Sequence, residues 1–591
     1  MKCLAGPANS AYARSTRIRR DTRTTNGEEV PEMQARGHGS WLQRAVPMAG
    51  VSVGVLLIAG PFLATVARSL LVWDATGANL SGDNFIRLFS DPRFISAAVN
   101  TLIAGGCTTI LALLLGFTLA WLVARTDMPG RSWLETANLM PFFLSPYVGA
   151  ISWIYLLAPH GGLLPWLART YLGVSLAWLD IYSMGGVIWV LTLFYTPYVY
   201  LFVIGPLRQM DAALEDAARV HGASFWITLR HITVPLVAPA LLSAGLIVFV
   251  TSAGLFDVPL ALGSPRGMRF MPTEIYSMVQ YPSDLGRAAA FGMVVLTVTI
   301  VLTLLQRRFI AARRFDTVTG KGYRPRQIRL RLGGKVAALV LEFIYVGGGV
   351  ILPLVALVMV AFSKLWTGRF LWRTATLGNF DYILTQYDLT RQAITNSLFL
   401  AFTGATLGVI LAVLQSYYLT RGNPRRRAFV DALLSLPLGI PGIILGLGFL
   451  ILAIRTPLYS TLAIILIAYI ARFFPFATRT ITAMFLAINP ELEQSARASG
   501  ASWWQSLRLI LLPLLRPALI AAWLMLFVIF IRELGATILL YAQGTETISV
   551  AMVVLSERSS GFVAALAVVQ LVLLLSGFVI LRLTRTSISQ G

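Results

Sequence analysis

Long apolar runs decide what this chain can fold into. They fall near 47–72, 97–124, 136–158, 184–206, 236–262 and 288–306, and again near 336–363, 395–420, 430–454, 458–486, 515–541 and 561–583. A hydrocarbon layer about 30 Å thick takes roughly 20 apolar residues to cross as a helix, and these runs have that length. Strands of a membrane barrel would be about ten residues long and alternate in polarity, which these do not. The fold class read from the sequence is an all-α polytopic membrane protein of about twelve spans. Composition agrees: the chain is 57% hydrophobic and only 13% charged, about half the charged share of a soluble domain.

The net charge of +22 would suit a nucleic-acid partner, but its placement points to topology instead. Residues 1–46 hold eight Lys/Arg, and residues 307–335 hold ten against the single acid Asp316. Basic segments between apolar spans mark the cytoplasmic side. With an even number of spans, both termini are expected there, with the lipid bilayer as surroundings and no nucleic acid as partner. The polar, Arg-rich stretch 1–46 reads as a disordered cytoplasmic tail rather than a cleavable signal. Cys3 and Cys107 make no disulfide framework. His38, His160, His221 and His231 are too scattered for a metal site.

The chain repeats itself. A shift of 278 lays Leu214–Leu241 on Leu492–Leu519 with 16 of 28 positions identical, among them Glu215/Glu493, Ala218/Ala496, Gly222/Gly500, Trp226/Trp504 and Pro235/Pro513. A shift of 296 lays Asn100 on Asn396, Arg125 on Arg421 and Pro141 on Pro437. The first half therefore carries about 18 extra residues between these blocks, placed in the outside loop around 159–183. Six spans per copy give both copies the same orientation, so the halves are parallel repeats. The expected division is a first permease module at 47–306, a basic cytoplasmic linker at 307–335 and a second module at 336–585.

The repeated inside loop reads as two short helices around a turn. Asp211 and Asn489 stand at matching N-caps, and Pro490 follows at the favoured first position. Gly222 and Gly500 can take the left-handed conformation that ends the first helix. Ser224 and Ser502 can cap the second, which is expected to end near Pro235 and Pro513. Amphipathic "FWITLRHI" and "WWQSLRLI" would place Trp at headgroup depth.

Asp216-Ala217-Ala218, then Gly222, Ile232 and Pro235, resemble the EAA loop of ATP-binding cassette importer permeases. The second copy reads Gln494-Ser495-Ala496, with Gly500, Ile510, Leu512 and Pro513 in register. Both triplets lack the family's glutamate, although Glu215 and Glu493 immediately precede them. The fused layout, with "LFDVPLALG" in one half and "RELGATILLYAQGTETISV" in the other, resembles the ferric-iron permease group. That group is in turn similar to permeases for thiamine, polyamines, phosphonates and sulfate. The resemblance implies a bacterial inner-membrane location and an extracytoplasmic binding protein that delivers cargo. It also implies two copies of a separate ATPase, docked on Glu215, Asp216, Ala217, Ala218 and Gly222 and on Glu493, Gln494, Ser495, Ala496 and Gly500. ATP and Mg would sit on those partners. This chain has no G-x-x-x-x-G-K-[ST] loop, no catalytic constellation, and so no cofactor or enzymatic activity of its own. An ion-coupled secondary transporter is the alternative, but it would want acidic or histidine relays within spans.

A few charges fall within apolar runs: Asp257, Arg472, Arg532 and Glu533. At 1.5 Å per residue, Arg532 and Glu533 are expected well along the eleventh span. Ionised groups cost several kcal/mol in hydrocarbon, so these should face the bundle interior or water. Two readings follow, an ion pair of Arg472 or Arg532 with Glu533 or Asp257 that holds spans together, or a lining of the translocation path.

Overall fold

A computed structural model of the protein describes residues 39–74, 77–312 and 328–588. The expected tail lies outside the described residues as far as 38, but its last part, 39–46, begins the helix Gly39–Leu70; the linker centre at 313–327 also lies outside them. The chain is helical almost throughout, as it must be where no water can satisfy a free backbone amide. A short antiparallel hairpin, Leu71–Asp74 with Gly77–Leu80, is the only sheet among the described residues.

Nine helices among the described residues are long and apolar enough to cross a membrane, or up to eleven if each of two bent pairs is one span. A twelfth apolar helix, Ser560–Ile588, closes the chain. The runs 136–158 and 430–454, read as plain spans, are the bent ones. Arg131–Phe143 meets Pro146–Leu157 at 96°, and Pro424–Gly439 meets Gly442–Ala453 at 101°. The cause is local. Proline disfavours the helical conformation in the residue before it, and Ser145 (ψ 133°) and Ile440 (ψ 121°) precede Pro146 and Pro441 in extended conformation.

The expected spans 236–262 and 515–541 differ at both ends. The helix does not stop at Pro235 or Pro513. It runs on as Phe225–Ala253 and Trp503–Ile531, through a wide turn at Leu229–Thr233 and at Leu507–Leu511. Such a turn lets a helix absorb the amide that a following proline lacks. At the far end the helices stop at Ala253 and Ile531, well short of the ends of the apolar runs. Arg532 and Glu533 therefore lie just past a helix end, not inside it.

Each half is built on three long helices, Pro92–Arg125, Met184–Gln209 and Val234–Ala253 in the first, and Asp388–Arg421, Leu462–Ala487 and Leu512–Ile531 in the second. They pack pairwise within their half. Hydrocarbon gives no hydrophobic drive for this, so small residues that allow close approach matter. Gly116 lies against Val199, and Gly408 against Leu526.

The opening helix of each half crosses to the other. Gly39–Leu70 packs on Asp388–Arg421 and Gly442–Ala453 of the second half. Gly50 and Gly54 sit on Leu414 and Gln415, and Gln415 Nε2 donates to Gly50 O at 3.3 Å. Leu352–Ala361 packs in return on Pro146–Leu157 of the first half. In the same segment Tyr345 donates to Asn138 O at 3.3 Å, and Asn138 Nδ2 to Glu342 Oε1 at 3.2 Å.

Candidate functional site

The two repeated loops form as their capping residues dictate. Ala212–Val220 begins at Asp211, whose carboxylate accepts from Ala213 N at 2.9 Å. Pro490–Ala498 begins at Asn489, whose Oδ1 accepts from Glu491 N at 3.0 Å. Gly222 and Gly500 stand at φ +82° and +89°, the left-handed conformation that closes each helix. Ser224 and Ser502 then accept from Ile227 N and Gln505 N at 3.4 and 3.2 Å. Trp226 and Trp504 remain exposed at the start of the next long helix.

Each loop is bolted to its own half by one carboxylate. Arg125, wholly buried at the C-terminal end of Pro92–Arg125, puts Nη2 2.6 Å from Glu215 Oε2 and Nη1 3.2 Å from Met210 O. Thr233 donates to the second carboxylate oxygen at 2.9 Å. In the other half Arg421 lies 3.4 Å from Glu493 Oε2 and donates to Ile488 O at 3.2 Å. Both backbone acceptors sit one residue before the N-cap, so the repeat extends to the hydrogen bonds. The second seat is richer. Glu493 also accepts from Tyr417 Oη at 2.6 Å and pairs with Arg497, which reaches Gln43 Oε1 of the crossed-over opening helix at 2.9 Å.

Glu215 and Glu493 are thus turned inward and buried. Ala217, Gly222, Gln494, Ser495 and Gly500 are exposed, with Asp216, Ala218 and Ala496 half-buried. Arg125 and Arg421 were legible as a repeated pair ending a span, but nothing local marked them as the partners of Glu215 and Glu493. Tyr417, Arg497 and Gln43 carried no sequence signal, because their meeting depends on the helix exchange.

Near the first seat the chain also docks its own linker. Ile328 bridges the backbone beside Thr126, and Asp127 accepts from Leu330 N at 2.7 Å and pairs with Lys335 at 2.8 Å. The Leu330 amide, with Lys335 beside it, holds the Asp127 carboxyl below its usual range.

The second feature is a cavity of about 170 Å³ between the halves. Its walls are the two helix breaks, around Leu144 and Pro146 and around Ile440 and Pro441, and the two helix ends, Gly254–Asp257 and Arg532–Gly535. All four charged residues singled out within apolar runs line it: Asp257, Arg472, Arg532 and Glu533. Arg472 Nη1 lies 2.6 Å from Glu533 Oε1. Glu533 also accepts from Ala536 N at 2.8 Å, Thr537 N at 3.2 Å and Thr537 Oγ1 at 2.6 Å, which starts the helix Thr537–Leu540. Arg532 donates to Phe142 O, and to Leu144 O at 3.3 Å, across the boundary between halves. Irregular backbone at membrane depth needs such donors. The position repeat-related to Arg532 is Gly254, and a side chain there would meet Pro441 of the other break at 2.7 Å. Asp257, by contrast, is 6% exposed and makes no ion pair or hydrogen bond to another described residue.

The comparisons with known proteins agree with this architecture. The family model described as "Binding-protein-dependent transport system inner membrane component" matches twice, over residues 112–315 and 404–590. A putative ferric transport system permease protein FbpB 1 of Haemophilus influenzae is 25% identical over 481 residues, 79% of this chain and 74% of that protein. The Fe(3+)-transport system permease protein FbpB 2 of the same organism is 25% identical over 515 residues, 87% and 92% of the two chains. The sulfate transport system permease protein CysT of Escherichia coli is 24% identical over 272 residues, 45% of this chain and 95% of its own length. With the family's model matched once in each half, the chain belongs to the inner-membrane components of binding-protein-dependent transport systems.

Proposed function

We propose that this chain supplies both membrane halves of an ATP-binding cassette importer for ferric iron, with its termini in the cytoplasm. The observation that carries the reading is the pair of inside loops. Each is seated on its half by an Arg–Glu pair and presents the opposite face outward, through Asp216, Ala217, Ala218 and Gly222, and through Gln494, Ser495, Ala496 and Gly500. One copy of an ATPase, carrying ATP and Mg, would dock on each loop. Glu215 and Glu493 would transmit the push inward rather than touch the ATPase. An extracytoplasmic binding protein would deliver cargo to the cavity that Asp257, Arg472, Arg532 and Glu533 line.

Iron is favoured by the relatives that span most of the chain, named for ferric transport. Thiamine, polyamine, phosphonate and sulfate are the alternatives, and relatives named for sulfate and for 2-aminoethylphosphonate transport match parts of the chain. An ion-coupled carrier is less supported, since it would have no use for two seated loops. The test is uptake of radiolabelled ferric iron into proteoliposomes holding the chain, its ATPase and its binding protein. Uptake should need ATP and stop with vanadate. Uptake that continues without the ATPase would sink the reading.

A further inference from the structure

We propose that Asp257 is the side chain on which cargo rests in the cavity, and that the cargo it accepts is cationic. This rests on the importer reading but not on iron. Three of the four charged residues in the cavity are already committed. Glu533 is saturated by Arg472, two backbone amides and the Thr537 hydroxyl. Arg472 is held by Glu533 and lies over the Phe473 ring, 4.7 Å from its centre. Arg532 is met by two carbonyl dipoles and by the Phe142 ring, 5.0 Å away. Asp257 alone makes no hydrogen bond or ion pair to another described residue, although it is only 6% exposed and follows a helix break that fixes it in the cavity wall. A structural carboxylate at that depth would be expected to hold a cap or a pair.

The remaining surface has the same sign. Phe194, Tyr195, Tyr198 and Phe476 also line the cavity, and aromatic faces present negative potential to a cation. The free capacity beside them is that of a carboxylate, which only accepts. An oxyanion would meet a like charge in the ionised carboxylate, with both arginines already engaged. The cavity is nonetheless neutral in sum, two arginines against two carboxylates, so a cation would be held briefly rather than trapped, as passage requires. The repeat-related position is Gly535, and Glu533 matches Leu255, so each half supplies one acid and only that of the first half is uncommitted.

The test uses the full complex of chain, ATPase and binding protein in proteoliposomes, with ferric iron supplied on the binding protein, spermidine and sulfate as probes. Wild type should take up one of the cations and not sulfate. D257N should lower the maximal rate of that uptake at least tenfold while the complex still co-purifies with its ATPase and melts as wild type does. D257E should restore at least half of the rate. Uptake of spermidine but not iron overturns the ferric reading and leaves this inference standing. Uptake of sulfate alone overturns this inference and leaves the importer reading standing. Cation uptake by D257N at the wild-type rate, or a lost complex that D257E does not recover, also overturns it.

Discussion

Arg125 and Glu215 meet at 2.6 Å in the seat of the first loop, and Arg421 and Glu493 repeat the pair at 3.4 Å in the second. The geometries differ in consequence. Arg125 is wholly buried, so Glu215→Ala would leave an unpaired buried charge, at a cost of about 3–5 kcal/mol. Both arginines keep a backbone carbonyl, but Arg421 also keeps some solvent, so Glu493→Ala should cost less, about 1–3 kcal/mol. Thermal unfolding and ATPase co-purification should both rank Glu215→Ala below Glu493→Ala. The reverse order would mean that the extra partners Tyr417, Arg497 and Gln43 make the second seat the more important.

Gly222 and Gly500 have nothing within 4 Å of an added Cβ, so any effect of substitution is one of backbone conformation. A left-handed residue with a side chain costs roughly 1–2 kcal/mol, less for asparagine. Gly222→Val should weaken ATPase binding and Gly222→Asn should largely keep it. Equal loss from both would show that the ATPase needs the bare surface rather than the turn.

The linker contact gives a pH dependence of definite sign. Because the Asp127 carboxyl is held below its ordinary value of 3.8, its contribution is fully present above that value. It is lost as pH falls through the lowered one. Proteolytic nicking of the linker should therefore be constant from neutral to mildly acid pH. Asp127→Asn should speed nicking at every pH in that window.

What the sequence made legible was whatever depends on neighbours along the chain. The span positions, the N-caps at Asp211 and Asn489, the turns at Gly222 and Gly500 and the repeat all rest on local spacing. The breaks at Ser145-Pro146 and Ile440-Pro441 were written in the sequence too, but an apolar run conceals a bend that proline imposes. The helix ends at Ala253 and Ile531 were hidden for a different reason. Hydropathy continues past them, and after Ile531 the carboxylate of Glu533 redirects the backbone by taking the amides of Ala536 and Thr537. The exchange of opening helices, and with it the reach of Gln43 to Arg497, is a tertiary fact that no periodicity carries.

Gly442 is where close approach matters most to the cavity. A Cβ there would fall 2.0 Å from Arg472 Nη1, so Gly442→Ala must displace the guanidinium from Glu533. Breaking a part-buried, hydrogen-bonded ion pair costs a few kcal/mol. Uptake should fall with no change in ATPase docking, because both loops lie elsewhere. Gly439→Ala, whose nearest contact is Thr299 Cγ2 at 3.5 Å, is the control and should be near neutral.

Arg532 ties the second half to the broken span of the first through the carbonyls of Phe142 and Leu144. Both carbonyls lie at the helix break before Pro146, which has no amide to offer, and each acceptor left unpaired there costs about 1–3 kcal/mol. Arg532→Gln should therefore loosen the contact between halves. Arg532→Lys, with a single ammonium in place of a planar fork, should retain part of it. Arg532→Glu would set a carboxylate against two acceptors and near Asp257, and should abolish uptake. None of the three touches either loop, so the ATPase should still co-purify. Uptake at the wild-type rate in Arg532→Glu would mean that the halves need no bond at this point. Loss of the ATPase with loss of uptake would make Arg532 a folding residue rather than a part of the path.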